Sequence, residues 1–332
     1  MKYLFFGSPE FAAVILEKLI AAGYVPAAVV CNPDRPIGRK KVITPPPVKR
    51  AALDHNNDHD NDKQIIILQP EKLDDGFRSR LSDLFPELVE GLPTEKSEHY
   101  PSTSSGNNVL TAIVAAYAKI IPKSVLDLFP KGVIGVHPSL LPKYRGATPI
   151  QSVILGGEET TGVTLYLLDE KLDHGPILAQ QKFEIRNSKF EILVKELAEL
   201  GSGLLVETLP KFIAESIKPV AQNETEATYT KKFTSEDAFV AQEMLDAALN
   251  GDKKKAIEIS RKIRALNPEP GAWTLRPLRP ASPKTASRGG QAQGIKAQGK
   301  PPQRVKLLEA DVKDGKLVLK KIQFEGKKPE AI

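Results

Sequence analysis

The sequence predicts a doubly wound α/β domain with a parallel sheet, followed by a smaller and more basic β-rich domain. Three observations carry that expectation. The N-terminal part alternates short apolar runs with stretches of helical periodicity, the pattern of parallel strands joined by crossover helices. The C-terminal part ends in strand-length runs punctuated by turn residues. The charge is also divided: residues 271–332 hold 14 Lys/Arg against 5 Asp/Glu, which leaves 33 against 36 for residues 1–270 of a chain with net charge +6. The boundaries expected from these patterns are a first domain over 1–205, a linker over 206–226 and a second domain over 227–332.

The elements follow in order. Residues 3–6 read as a buried strand, Gly7-Ser8-Pro9-Glu10 as a turn, 11–22 as a helix and 27–31 as a second strand. This β-α-β opening is Rossmann-like. Only Gly7 stands where a dinucleotide fingerprint would need Gly-x-Gly-x-x-Gly, which disfavours a nicotinamide enzyme. Further strands are expected at 64–68, 109–116, 132–136 and 163–168, with helices at 122–128, 148–155 and 190–200 and another ending near Ile213. Residues 54–62 place His55 and His59 among aspartates and asparagines. Without an apolar frame to fix ligands this reads as a hydrophilic loop, and no metal is expected. Residues 86–108, rich in Pro, Ser, Thr, Glu and Gly, read as an exposed insertion.

In the second domain, helical segments at 238–249 and 255–266 precede Trp273. A Gly/Pro/Gln/Lys-rich loop follows at 277–302, then strands at 305–308 and 317–322 with an Asp314-Gly315 turn between them. Short strands of this kind suit a small barrel.

Composition sets outer limits. The single cysteine, Cys31, excludes an intramolecular disulfide and a cysteine-based metal cluster. No apolar run approaches the roughly 18 residues of a membrane span. The start Met1-Lys2-Tyr3-Leu4 reads as a strand rather than a signal peptide. A cytoplasmic protein with no membrane partner is expected, acting as a monomer. Its concentrated C-terminal basicity favours a polyanion such as RNA.

The chemistry concentrates in Gly135-Val136-His137-Pro138-Ser139-Leu140-Leu141-Pro142-Lys143-Tyr144-Arg145-Gly146. The prolines and Gly146 force a loop at the end of an apolar strand, and His137 stands at its mouth, where an imidazole can move a proton near neutral pH or hydrogen-bond an oxyanion. An acidic partner is available in Leu172-Asp173-His174-Gly175, which follows the strand at 163–168. In a doubly wound sheet ligands bind beyond the carboxyl ends of the strands, and on that rule His137 and Asp173 should meet there.

These runs, with Thr161-Gly162-Val163-Thr164, resemble the folate-dependent formyltransferases, and over most of its length the chain is similar to members acting on methionyl initiator tRNA. The resemblance implies an OB-like second domain and transfer of a formyl group from 10-formyltetrahydrofolate to the methionyl α-amine. It implies His137 and Asp173 as catalytic residues, Ser139, Leu140, Leu141 and Pro142 as the folate pocket, and Arg35, Arg39, Lys40 and Lys41 as contacts to tRNA. It also implies a catalytic Asn at the position of Gly135. Residues i and i+2 of a strand share a face, so a side chain at 135 would stand beside His137. A donor aimed at an oxyanion is worth about 3 to 4 kcal/mol, and glycine supplies none. Another group filling the space, a slower enzyme, or divergence are the open readings. The alternatives in function are a sugar-nucleotide N-formyltransferase, or an impaired RNA-binding homologue.

Overall fold

The computed structural model describes residues 2–38, 40–58, 64–90, 109–276 and 303–332. Arg39, His59, residues 91–108 of the expected insertion and the whole loop 277–302 lie outside the described residues. In chain order the elements are β1 (Lys2–Gly7), α1 (Glu10–Ala21), β2 (Ala28–Val30), β3 (Arg35–Ile37), β4 (Val42–Thr44), α2 (Pro47–Asp58), β5 (Ile66–Leu68), α3 (Asp75–Leu84) and α4 (Glu87–Glu90). Next come β6 (Val109–Ala115), α5 (Lys123–Leu126), β7 (Val133–His137), β8 (Arg145–Gly146), α6 (Pro149–Gly156), β9 (Thr160–Leu167), β10 (Ile177–Glu184) and α7 (Phe190–Ile213). The remainder are β11 (Tyr229–Thr230), α8 (Gln242–Leu249), α9 (Lys253–Leu266), β12 (Trp273–Arg276), β13 (Gln303–Lys313), β14 (Lys316–Phe324) and β15 (Glu330–Ala331).

Two compact units result, one of Met1–Val153 with Glu158–Lys231 and one of Ile154–Gly157 with Lys232–Ile332. The first is built on a seven-stranded sheet in the order β10-β9-β7-β6-β1-β2-β5. Strands β1, β2 and β7 are buried along nearly their whole length, as packing between helix layers requires, whereas the edge strand β10 is largely exposed. On one face Leu4, Phe6, Val30 and Val133 pack with Phe77 and Leu81 of α3 and Val125 of α5. On the other lie α1 and α7, and the latter approaches so closely at Gly201 that an added Cβ would sit 3.2 Å from Val136 and Val163.

The sheet is mixed. Strands β5, β2, β1, β6 and β7 run parallel, whereas β9 is antiparallel to β7 and β10 antiparallel to β9. The carboxyl end of β9 therefore faces away from His137. The expectation that Asp173 meets His137 by following a parallel strand is corrected: residues 168–176 fold back along β9 instead. Gly175 permits that return, because a Cβ there would lie 1.8 Å from the Leu167 carbonyl oxygen.

Three further expectations change. Helix α7 runs to Ile213 and the first unit continues to Lys231, so residues 206–226 are not a free linker. Helix α2 extends through Asp58 into the stretch expected as loop, and its Asn56 side chain bonds the Ile65 carbonyl and N–H at 2.9 and 2.7 Å. In the basic segment, residues 35–37 and 42–44 pair as the small antiparallel β3–β4 hairpin.

In the second unit the sheet order is β12-β13-β14-β15, all antiparallel. Leu245, Ala248, Ile259 and Ile263 of α8 and α9 pack on Val305, Leu307, Leu317 and Ile322. The first helix starts at Gln242 rather than 238, because Val240 N–H donates to the Trp273 carbonyl and Trp273 N–H to that of Ala238. Among the described residues no helix is long and apolar enough to cross a membrane.

Candidate active site

His137 is the last residue of β7, and it is 6% exposed. Its Nε2 lies 2.9 Å from the Tyr144 carbonyl oxygen. A carbonyl only accepts, so Nε2 carries a proton and Nδ1 is the nitrogen free to gain or lose one. Nδ1 faces Asp173 Oδ2 at 3.6 Å, longer than a hydrogen bond but within ion-pair range. A proton acquired at Nδ1 would thus place an imidazolium against a carboxylate.

Asp173 is held from several sides. Its Oδ2 accepts from Gly146 N–H at 2.7 Å and its Oδ1 from the Tyr166 hydroxyl at 2.6 Å. Burial, and then the neighbouring Asp173 charge, push the Tyr166 phenol well above its ordinary value, so the hydroxyl keeps its proton and donates. The Asp173 backbone has φ 49°, a left-handed conformation unfavourable for a residue with a side chain. Gln222 stabilises that turn, donating from Nε2 to the carbonyls of Asp173 and Gly175 at 2.9 and 2.8 Å.

Gln222 is itself clamped by Arg145, whose side chain has no exposed surface. The guanidinium donates from Nε and Nη2 to Gln222 Oε1 at 3.1 and 2.7 Å, to the two Glu224 oxygens at 3.0 and 2.6 Å, and to the Tyr229 hydroxyl at 3.1 Å. Strand β11 adds a parallel pairing with β8. The segment after α7 is thereby tied back over the loop at 137–146. His174, the neighbour of Asp173, is engaged elsewhere: Nδ1 meets Asp169 at 2.5 Å and Nε2 lies 3.6 Å from Glu224.

The loop expected to hold folate is fixed by β9 and β10. Thr164 Oγ1 donates to the Ser139 carbonyl at 2.7 Å and accepts from Leu141 N–H at 3.1 Å, while Gln180 Nε2 donates to the Leu141 carbonyl at 2.7 Å. Ser139 Oγ donates to the Lys143 carbonyl, and the Leu140 and Pro142 carbonyls accept from Lys143 and Thr228 N–H groups. Ser139 and Leu141 are buried. Leu140 and Pro142 are half-buried and give this loop an apolar surface, and Lys143 beside them is exposed.

Gly135 is opposite Tyr166 in the β7–β9 register. A Cβ at 135 would stand 2.3 and 2.6 Å from the Tyr166 ring and 2.7 Å from Leu168. The space that a side chain at 135 would use is occupied by the tyrosine. Arg35, Lys40 and Lys41 lie on or beside the exposed β3–β4 hairpin, away from this cluster in the chain, with Arg35 in an exposed 3.4 Å pair with Glu71. The one acidic residue there, Asp34, is kept below its usual range by hydrogen bonds from Lys49 and Gln69. Among the described residues no three His, Cys, Asp or Glu side chains are arranged to hold a metal ion.

The sequence brought His137 and Asp173 forward, but it did not single out Tyr166, Gln222 or Arg145. One signal was available for Tyr166, a large ring at a position that pairs with glycine once β9 is known to be antiparallel.

The fold and the site together define an α/β protein with a buried histidine facing a held carboxylate, and comparison with known proteins specifies its family. The formyl transferase family matches residues 1–209, and the formyl transferase C-terminal domain matches residues 246–332. A methionyl-tRNA formyltransferase of Chloroflexus aurantiacus is 40% identical over 294 residues, spanning 87% of this chain and 82% of that relative. One from Kosmotoga olearia is 35% identical over 336 residues, 99% of this chain and 93% of the relative. Two solved structures share the fold: methionyl-tRNA formyltransferase from Clostridium thermocellum, with TM-score 0.51, 14% identity and 98% of each chain covered, and Aquifex aeolicus HypX in complex with tetrahydrofolic acid, with TM-score 0.56, 14% identity, 98% of this chain and 45% of that one. The chain belongs to the formyl transferase family.

Proposed function

We infer that this protein transfers a formyl group from 10-formyltetrahydrofolate to the α-amino group of methionyl initiator tRNA, in the cytoplasm. The observation that carries the reading is the placement of His137 Nδ1 against Asp173 at the end of β7, in a chain 35 to 40% identical to methionyl-tRNA formyltransferases over most of its length. 10-Formyltetrahydrofolate supplies an activated formyl carbon when bound, and Leu140 and Pro142 offer it an apolar edge. His137 takes the proton that the amine gives up as its nitrogen bonds to that carbon, and Asp173 stabilises the imidazolium formed. The tetrahedral adduct then collapses by breaking the bond from the carbon to N10, which takes up a proton as tetrahydrofolate leaves. Tyr144, through its carbonyl, keeps Nε2 occupied so that Nδ1 does this work. Arg35, Arg39, Lys40 and Lys41 serve the acceptor by meeting tRNA phosphates, with Arg39 the first candidate for a contact near the acceptor end.

The test offers the full chain two acceptors, methionyl initiator tRNA and an amino-sugar nucleotide, with 10-formyltetrahydrofolate. Transfer to the tRNA with little to the sugar is expected. Transfer to the sugar nucleotide alone would overturn the assignment of substrate.

A further inference from the structure

The site contains a buried polar side chain for which the reaction just described has no role. Tyr166 is 6% exposed, it faces Gly135 across β7 and β9, and its hydroxyl is spent on Asp173 Oδ1 at 2.6 Å. Asp173 needs such a partner. With Oδ2 taking the Gly146 N–H at 2.7 Å and no hydrogen bond to His137 Nδ1 at 3.6 Å, the carboxylate would otherwise be free to rotate about its last torsion. Two donors, one on each oxygen, hold its plane and direct Oδ2 at the imidazole.

Geometry makes the two features interdependent. Only glycine at 135 leaves room for the ring, since a Cβ there would be 2.3 Å from it. The ring cannot swing aside without breaking its hydrogen bond to Asp173. We propose that Tyr166 is a positioning residue for formyl transfer, its hydroxyl locking the Asp173 carboxylate toward His137 and its ring occupying the volume left open by Gly135. Gly135 is then one half of a glycine–tyrosine pair rather than a defect. The proposal rests on the assignment of His137 and Asp173 as the working pair.

The experiment is steady-state formyl transfer by the full chain, with 10-formyltetrahydrofolate and methionyl initiator tRNA each varied, for wild type, Tyr166→Phe, Asp173→Asn and the double variant. Phenylalanine keeps the ring and removes only the hydroxyl. Loss of one hydrogen bond to a charged group is expected to lower kcat about tenfold to a hundredfold. Both KM values should stay within about twofold, because the hydroxyl does not meet substrate. In the Asp173→Asn chain the same change should alter kcat by less than about twofold, because the hydroxyl acts through that carboxylate. Circular dichroism melts would identify loss of fold as a separate cause, and a loss of kcat that merely follows unfolding would overturn the positioning role. So would wild-type kcat in Tyr166→Phe beside a defective Asp173→Asn, or equal losses in both backgrounds; these leave the working pair standing. Wild-type kcat in Asp173→Asn would instead overturn the reading of the site itself.

Discussion

Replacing Arg145 by methionine probes how the segment after α7 supports the site. Methionine keeps much of the volume and removes every polar contact of the guanidinium. Glu224 is 55% exposed in its side chain and returns to water, so no energy is assigned to its loss. The two bonds from a cation to half-buried Gln222 contribute about 1.5 to 3 kcal/mol, and exposed Tyr229, like Glu224, is assigned none. A destabilisation of about 1.5 to 3 kcal/mol follows, which at about 2 to 4 °C per kcal/mol lowers the melting temperature of a domain this large by about 3 to 12 °C. Function should suffer beyond stability. Released from Arg145, Gln222 no longer fixes the carbonyls of Asp173 and Gly175, and the turn that keeps Asp173 at φ 49° loses its brace. Turnover measured well below the melting temperature should fall about tenfold or more, since small displacements of a working group are costly. A melting temperature within about 2 °C of wild type together with unchanged kcat would refute the reasoning.

Three other outcomes follow from the same structure. Gly135→Asn, which by the family pattern should restore a missing donor, is expected to destabilise the chain by about 1 to 3 kcal/mol and to lower turnover, because its Cβ overlaps the Tyr166 ring; a stable and faster variant would contradict this. Lys40→Ala combined with Lys41→Ala should weaken tRNA binding and reduce the slope of log K against log salt by about 1 to 2, and an unchanged slope would remove both from the phosphate contacts. The Arg145 hydrogen bonds hold the Glu224 carboxyl below its ordinary value of 4.5. A depressed carboxylate stabilises fully above that ordinary value and loses its contribution as pH falls through the folded value. Wild type should therefore lose stability on acidification below about pH 4.5, and Glu224→Gln should flatten that part of the melting-temperature curve; identical curves would exclude the pair.

Much of the first unit was legible because its central strands are buried on both faces. Residues 3–6, 27–31 and 132–136 are nearly continuous apolar runs, and the Pro/Gly-bounded loop after β7 places His137 with little ambiguity. Strand β10 was not legible. As an edge strand it exposes Gln180, Gln181, Lys182 and Glu184 along much of its length, so its composition reads as polar loop. Missing it concealed the direction of β9, and with it the reason why Asp173 must turn back to reach His137. The pairing of Gly135 with Tyr166 was concealed for the same reason, since it exists only in the antiparallel register. Arg145 and Gln222 are separated by 77 residues in sequence, and their contact depends on a return path that no local pattern announces. Helix α7 carries its apolar stripe through Leu209 and Phe212, which shows why a boundary near 205 fell inside it.

The most direct test of the account is formyl transfer from 10-formyltetrahydrofolate to methionyl initiator tRNA by wild type and His137→Ala, each at its own saturating substrate and each shown by circular dichroism to be folded. Robust transfer by the wild type, Gly135 notwithstanding, and a loss of about a hundredfold or more in His137→Ala are the results expected when a positioned general base is removed. A folded His137→Ala chain with wild-type turnover, or a wild type unable to transfer formyl at all, would contradict it.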